Sequence, residues 1–440
     1  MPVMQQDATP SPSATHYPMH QWATDLFPIC RSITGEGVRE TLAYLSQLLP
    51  GLTVHEVASG TKAFDWEVPD EWNIRDAYIE DESGNRVVDF KDSNLHVIGY
   101  SEPVDQWMDL AELDEHLYSR SDLPDAIPYV TSYYKRRWGF CLTDKQRKSL
   151  VPGRYRAYVD STIAPGVLNY GELILPGSSD REVLISTYVC HPSLGNNELS
   201  GPVVVTALAK WLMSLPDRRL TYRIIFIPER IGSLVYLSRH MQEMKEKTIA
   251  GFNVSCIGDD RTYSYLASRK GGTLADRVAL HVLSRHAPDF DRYTFLDRGS
   301  DEIQYCAPGI DLPVATIMRS KFGEYPEYHT SLDDLTVITQ PGLEGGLAVL
   351  RKCLSALEVN QIWKMNVLCE PQLGKRGLYS DIGLSGMHQY DNSLVDVIAY
   401  LDGQTDLLTV AETIGIDVLK CAEIVAILAR EGLAEEVANG

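Results

Sequence analysis

From about residue 155 onward, short apolar runs alternate with longer segments whose apolar positions recur every three or four residues. The runs at 183–189, 222–227, 251–257, 263–267 and 312–318 predict strands. The amphipathic segments 203–215, 232–245, 273–285 and 343–357 predict helices between them. Strands alternating with helices predict an α/β fold: a doubly wound sheet flanked by helices, and mixed because some connections are short. Ahead of this region, 25–49 reads as helical, with Gly35-Glu36-Gly37 as the turn before a helix from Val38. That Gly-x-Gly is not a nucleotide fingerprint, since no strand precedes it and the third glycine is missing.

The texture changes on either side of the alternating region. Between 64 and 154 short strand-like runs, 86–90 and 95–100 among them, are separated by turn signals, prolines and aromatics, which predicts a β-rich insert. Within it, residues 131–142 place three basic side chains among aromatics. A half-buried strand with snorkelling Lys and Arg is a better reading than a nucleic-acid surface. Beyond residue 360, three helical patterns (394–401, 405–414, 417–430) and a hairpin-like tail at 433–437 predict a winged-helix module. The expected organisation is a flexible leader (1–20), an α/β domain (21–63 with 155–360), the insert (64–154) and the winged-helix module (361–440).

Composition narrows the function classes. At 440 residues, with 44% hydrophobic and 23% charged positions, the chain has the make-up of a globular protein of two or three domains. No apolar run approaches the roughly 20 residues that cross a bilayer. The N-terminus lacks a basic and then apolar signal, so a cytoplasmic location is expected. Eight scattered cysteines without a C-x-x-C pair fit reduced, buried thiols. The net charge of −20 disfavours nucleic acid and anionic membranes as partners. From Asp391 to Gly440 there are 10 acidic and 2 basic residues, which would repel a phosphate backbone. Packing or formation of a homo-oligomer is therefore the expected use of the C-terminal module, ahead of DNA-binding regulation.

Five places at or just after predicted strand ends carry residues suited to a metal site. They are His191 with Glu198, then Glu229, then Asp259 and Asp260, then Ser300-Asp301-Glu302, and finally His329. Each alone has a plain explanation as a turn or cap residue. Their recurrence along one edge of a sheet, where loops converge into a crevice, points to a site. Zinc-assisted hydrolysis needs about three N or O ligands and an open position for water. It also needs a carboxylate outside the ligand set to move the proton. Glu229, between Pro228 and a helix start, suits the base. His191, Glu198 and His329 suit the ligands, with Asp259 or Asp260 as a fourth ligand or a supporting partner, and Asp301 orients a ligand or the base. Arg298 and Arg319 are candidate anchors for a substrate carboxylate, and Tyr328 joins them as a candidate substrate contact. Cys190 reads as core, because neighbours on a strand point to opposite faces. No G-x-S-x-G elbow, H-E-x-x-H helix or phosphate loop offers a rival chemistry.

With these residues in place, the chain resembles the zinc aminopeptidases that include bacterial leucyl aminopeptidase, glutamate carboxypeptidase and glutaminyl cyclase. The shared order is His, acidic-x-Ser-Gly, Glu-x-Ile-Gly, Asp, Ser-Asp and Tyr-His-Thr before an acidic pair, with 299–335 the strongest stretch. From about Arg31 to Leu433 it is similar to a bacterial group of aminopeptidase-like proteins with an inserted β unit and a C-terminal winged helix, often linked to polysaccharide biosynthesis. The resemblance implies a zinc hydrolase acting on a peptide or small amide. It also exposes departures. Asn197 stands where those enzymes place a bridging aspartate, Arg230 where they place a glutamate ligand, and Ser255 where they place a later aspartate. An arginine cannot ligate zinc, so one zinc is expected rather than two. The alternative is a scaffold of the same fold whose catalysis has lapsed.

Overall fold

The computed structural model of the chain describes residues 16–133, 135–378 and 393–437. Much of the expected leader (1–15) and part of the Gly-rich stretch after residue 360 (379–392) lie outside the described residues. Contacts divide the chain into two units, Met1–Asp276 with Asp291–Ala348, and Arg277–Phe290 with Val349–Gly440.

The first unit is built on an eight-stranded mixed sheet. Its order is Thr53–Ala58, Val167–Leu175, Thr221–Ile227, Glu182–Tyr188, Thr248–Val254, Val314–Met318, Ser264–Leu266 and Asp291–Tyr293. The four strands Thr221–Ile227, Glu182–Tyr188, Thr248–Val254 and Val314–Met318 run parallel. Glu182–Tyr188, Thr221–Ile227 and Val314–Met318 are buried at every position, which is why they read as uninterrupted apolar runs. The charged exceptions neutralise one another: Arg223 donates to both carboxylate oxygens of Glu182 at 2.7 and 2.9 Å. Because these strands are parallel, the loops after them all emerge at one edge. Close packing there dictates sequence: a Cβ on Gly201 would stand 2.4 Å from Thr187 Oγ1 and 2.7 Å from the Val254 carbonyl oxygen.

Several boundaries differ from expectation. The end of the supposed leader opens the helix Met19–Leu26, because Met19, Trp22, Ala23 and Leu26 make one buried face. The insert carries a four-stranded antiparallel sheet, Arg86–Asp89, Glu71–Asp81, Arg154–Ala164 and Val104–Asp109. Its strand Arg154–Ala164 begins where the insert was expected to end. The run 95–100 is not a strand: Ser93 accepts the Leu95 N–H and opens the short turn Asn94–His96. Among the described residues of 131–142 only Phe140–Cys141 is a strand, since Arg137 folds back onto the Thr131 carbonyl and the Ser132 hydroxyl.

In the second unit, Ser393–Tyr400, Leu407–Ile414 and Val418–Arg430 are helices beside an antiparallel sheet of Asp402–Asp406, Ile362–Met365 and Ala434–Glu436. The tail strand pairs with Ile362–Met365 rather than closing a local hairpin. Asp406 caps one helix through the Thr409 N–H, and Gly415, at φ 78°, ends it before Asp417 starts the next. All eight cysteines are free. Among the described residues no helix is long and apolar enough to cross a membrane.

Candidate metal and acid–base site

His191 follows the strand Glu182–Tyr188 and is almost fully buried. Its Nδ1 lies 2.9 Å from Glu198 Oε2, and its Nε2 lies 3.7 Å from Glu229 Oε2. Behind Glu198, Arg31 approaches Oε1 at 3.2 Å, both side chains wholly buried, and also donates to the His191 carbonyl oxygen at 2.8 Å. Burial presses the His191 ring towards its neutral form, but the Glu198 contact outweighs it and holds the pKa above the ordinary imidazole value. A carboxylate on Nδ1 sets the ring's orientation and leaves Nε2 facing the crevice. Glu198, expected as a ligand, is thus engaged on the far side of the ring from Glu229.

His329 comes from the loop after Val314–Met318. Its ring centroid lies 5.7 Å from that of His191, and Tyr328 stacks on it at 3.9 Å. Burial first, and then the nearby His191, lower its pKa to about 3, so the ring is a neutral donor at ordinary pH. The fold brings the two histidines together with a clamp. Asp333 accepts the Asn196 and Asn197 N–H groups at 2.7 and 2.9 Å and the Tyr325 hydroxyl at 2.9 Å. That ties the loop carrying Glu198 to the loop carrying His329. Tyr129, from the insert, packs against both rings at 5.2 and 5.1 Å. Sequence reasoning missed Arg31, Tyr129 and Asp333. Only Asp333 left a trace, as the acidic pair after Tyr-His-Thr.

The other expected residues have distinct placements. Asp301 Oδ1 accepts the Arg230 N–H and the Ser233 hydroxyl, both at 2.7 Å. Burial, then the Glu229 charge, raises its pKa. Asp259 is saturated by Asn196 Nδ2, Ser320 N and Oγ and Arg261 N, so it braces loops and has no acceptor turned to the histidines. Asp260 caps Thr339. Arg319 is buried, donating to the carbonyl oxygens of Thr262 and Gly342, and is spent inside the fold. Arg298 is exposed and lies over the Phe295 ring. Cys190 is core as expected, but not for the reason of opposed strand faces: the strand has ended, and its Sγ lies 3.5 Å from His191 Nδ1.

Cys190, His191 and Glu198 offer ligand-type atoms within 4.8 Å of one another. That trio is a poor cage, because burial drives the thiol's pKa far up and the Arg31 cation already occupies the Glu198 side. The crevice side suits one divalent cation better. His191 Nε2 faces it beside Glu229, and neither His329 ring nitrogen bonds a described residue. Asn197 Oδ1, on the loop between His191 and Glu198, is buried without a hydrogen-bond partner. A buried orphan oxygen is costly unless something positive meets it. A separate cleft of about 540 Å³, lined by Phe27, Lys91, Asn94 and Ser193 among others, includes none of His191, Glu229 or His329.

Residues 20–360 match a family model described as a domain of unknown function, DUF4910. The chain belongs to that family. Residues 361–436 match a winged helix-turn-helix model. A protein from Clostridium acetobutylicum named "Putative polysaccharide biosynthesis protein with aminopeptidase-like domain" is 41% identical over 395 residues, 89% of this chain and 90% of its own. A crystal structure from the same organism, described as a putative peptidase, is similar at TM-score 0.90 and 38% identity, covering 95% of this chain and 96% of that one. A peptidase M28 precursor from Shewanella amazonensis matches at TM-score 0.56 and 14% identity, over 80% of this chain and 94% of that one. The zinc aminopeptidase BSAP from Bacillus subtilis matches at 0.54 and 12%, over 77% and 93%. At such identities these last two establish a shared fold. The DUF4910 region is therefore aminopeptidase-like in architecture, followed by a winged helix.

Proposed function

We propose that this DUF4910 protein is a hydrolase of the aminopeptidase type that cleaves an amide bond in a peptide or small amide with one zinc ion. The observation that carries the reading is the approach of the His191 and His329 rings, at 5.7 Å, beside the Glu229 carboxylate. His191 Nε2, His329 and the unpaired oxygen of Asn197 would hold the ion, with the Glu229 carboxylate beside it. Zinc in such a place polarises a carbonyl group and makes water more acidic. Glu229 takes the proton from the attacking water and returns it to the leaving amine. Glu198 and Arg31 fix the tautomer of His191, and Asp301 fixes the turn that carries Glu229. A cytoplasmic setting and the absence of a nucleic-acid partner belong to the same proposal.

Asn197, Arg230 and Ser255 favour a second reading, a lapsed scaffold, because three positions expected to ligate do not carry a carboxylate. Elemental analysis of protein purified without a chelating tag, combined with a screen of amide reporters, separates the two. About one zinc per chain with turnover that Glu229→Gln abolishes supports the hydrolase. No zinc and no turnover supports the scaffold.

A further inference from the structure

Arg230 adopts φ 63° and ψ −67°, a conformation that L side chains rarely take. Such a conformation is strained, and surroundings that over-determine the turn hold it there. The clamp is visible: Asp301 accepts the Arg230 N–H, and the Ile231 N–H bonds the Glu229 carbonyl at 2.8 Å. None of this uses the arginine side chain, and a glycine would sit there without strain. The guanidinium is exposed, makes one hydrogen bond (Nη2 to the Gly299 carbonyl oxygen, 3.2 Å) and has no ion-pair partner among the described residues. Other arginines of the same unit, Arg31, Arg223 and Arg261 among them, do find carboxylates. Arg298, next to Gly299 in the chain, is likewise exposed and without an ion-pair partner among the described residues. Arg230 directly follows Glu229, and its charge reaches Tyr328, the residue stacked on His329.

We infer that Arg230 selects substrates carrying an anionic group, a carboxylate or phosphate, beside the amide bond, and rejects those with a free α-ammonium there. Arg298 assists from the other side of Gly299. An arginine binds a carboxylate through paired, charge-assisted hydrogen bonds, whereas a substrate ammonium at the same place meets a like charge. The class of substrate is thus an acidic amide rather than a peptide with a free amino terminus. This inference rests on the hydrolytic reading of the same site.

The test uses the full-length zinc-loaded protein and three alanine p-nitroanilides that differ only in their amino group: succinylated, acetylated and free. Calorimetric binding of N-succinyl-alanine amide against alanine amide runs in parallel. The wild type should favour the succinyl form over the free amine by about tenfold or more, in kcat/KM or in Kd. Arg230→Gln should level the series, Arg230→Glu should invert it, and Arg230→Lys should keep its direction. Binding preference without turnover removes the hydrolase and leaves the anion selectivity standing. Equal treatment of the probes by wild type, a preference unchanged in Arg230→Gln, or no binding of any probe overturns the inference.

Discussion

Arg31 Nε stands 3.2 Å from Glu198 Oε1 with neither side chain exposed, and the other Glu198 oxygen holds His191 Nδ1. A cation drawn from the N-terminal region thus supports, from behind, the imidazole that faces the crevice.

Breaking such a pair from one side should be costly, because a buried charge is left uncompensated. Arg31→Met is expected to lose about 3–5 kcal/mol in urea unfolding, and the double variant Arg31→Met/Glu198→Leu less than that single one. A single-variant loss below about 1 kcal/mol would show that the pair is solvated.

Asp333 joins the loops that bring the histidines together, so its removal should act on both stability and metal binding. Asp333→Ala leaves two backbone N–H groups and the Tyr325 hydroxyl without their acceptor, at about 1–3 kcal/mol each if water does not reach them. Thermal unfolding should fall, and zinc content should drop in parallel. Full zinc occupancy in a destabilised variant would detach the clamp from the site.

In the second unit, His281 Nε2 accepts the Val418 N–H at 3.0 Å, capping the helix Val418–Arg430. Burial, then the Arg285 charge, depresses the His281 pKa. The unfolded chain therefore binds this proton more readily. The contribution is complete above the ordinary imidazole value of about 6.5 and is lost as pH falls through the folded value. Protection factors along 418–430, taken relative to the intrinsic exchange rate at each pH, should fall as the medium is acidified, and His281→Gln should flatten that dependence. An unchanged slope in the variant would assign the acid sensitivity elsewhere.

The winged helix-turn-helix unit should not bind duplex DNA. The helix Val418–Arg430 exposes Lys420 and Arg430 but also Glu423, and the strand Ala434–Glu436 presents two glutamates. Electrophoretic mobility at low salt is expected to show no complex, since few cations are available to displace counterions. Salt-sensitive binding would reverse that expectation.

The linear pattern was enough for the alternating strands and helices of residues 180–360 and for the shortlist of acids and imidazoles at strand ends. Those features are local: a short, β-branched apolar run bounded by turn residues fits a strand buried on both sides, and the residue that follows it is at the edge of the sheet. The resemblance added the departures at Asn197, Arg230 and Ser255. Long-range contact decided the rest. Glu198 could have faced the crevice or stood behind His191, and Arg31, 167 positions away, settles which. Asp259 became a brace because Ser320 and Asn196 surround it, and Arg319 was drawn inward by backbone carbonyls. Arg137 left its expected strand for the Thr131 carbonyl, and the tail strand found Ile362–Met365 instead of its neighbour. In each case several partners are chemically acceptable for the same side chain or strand edge. Only packing in three dimensions selects among them, through contacts whose sequence separation leaves no period to read.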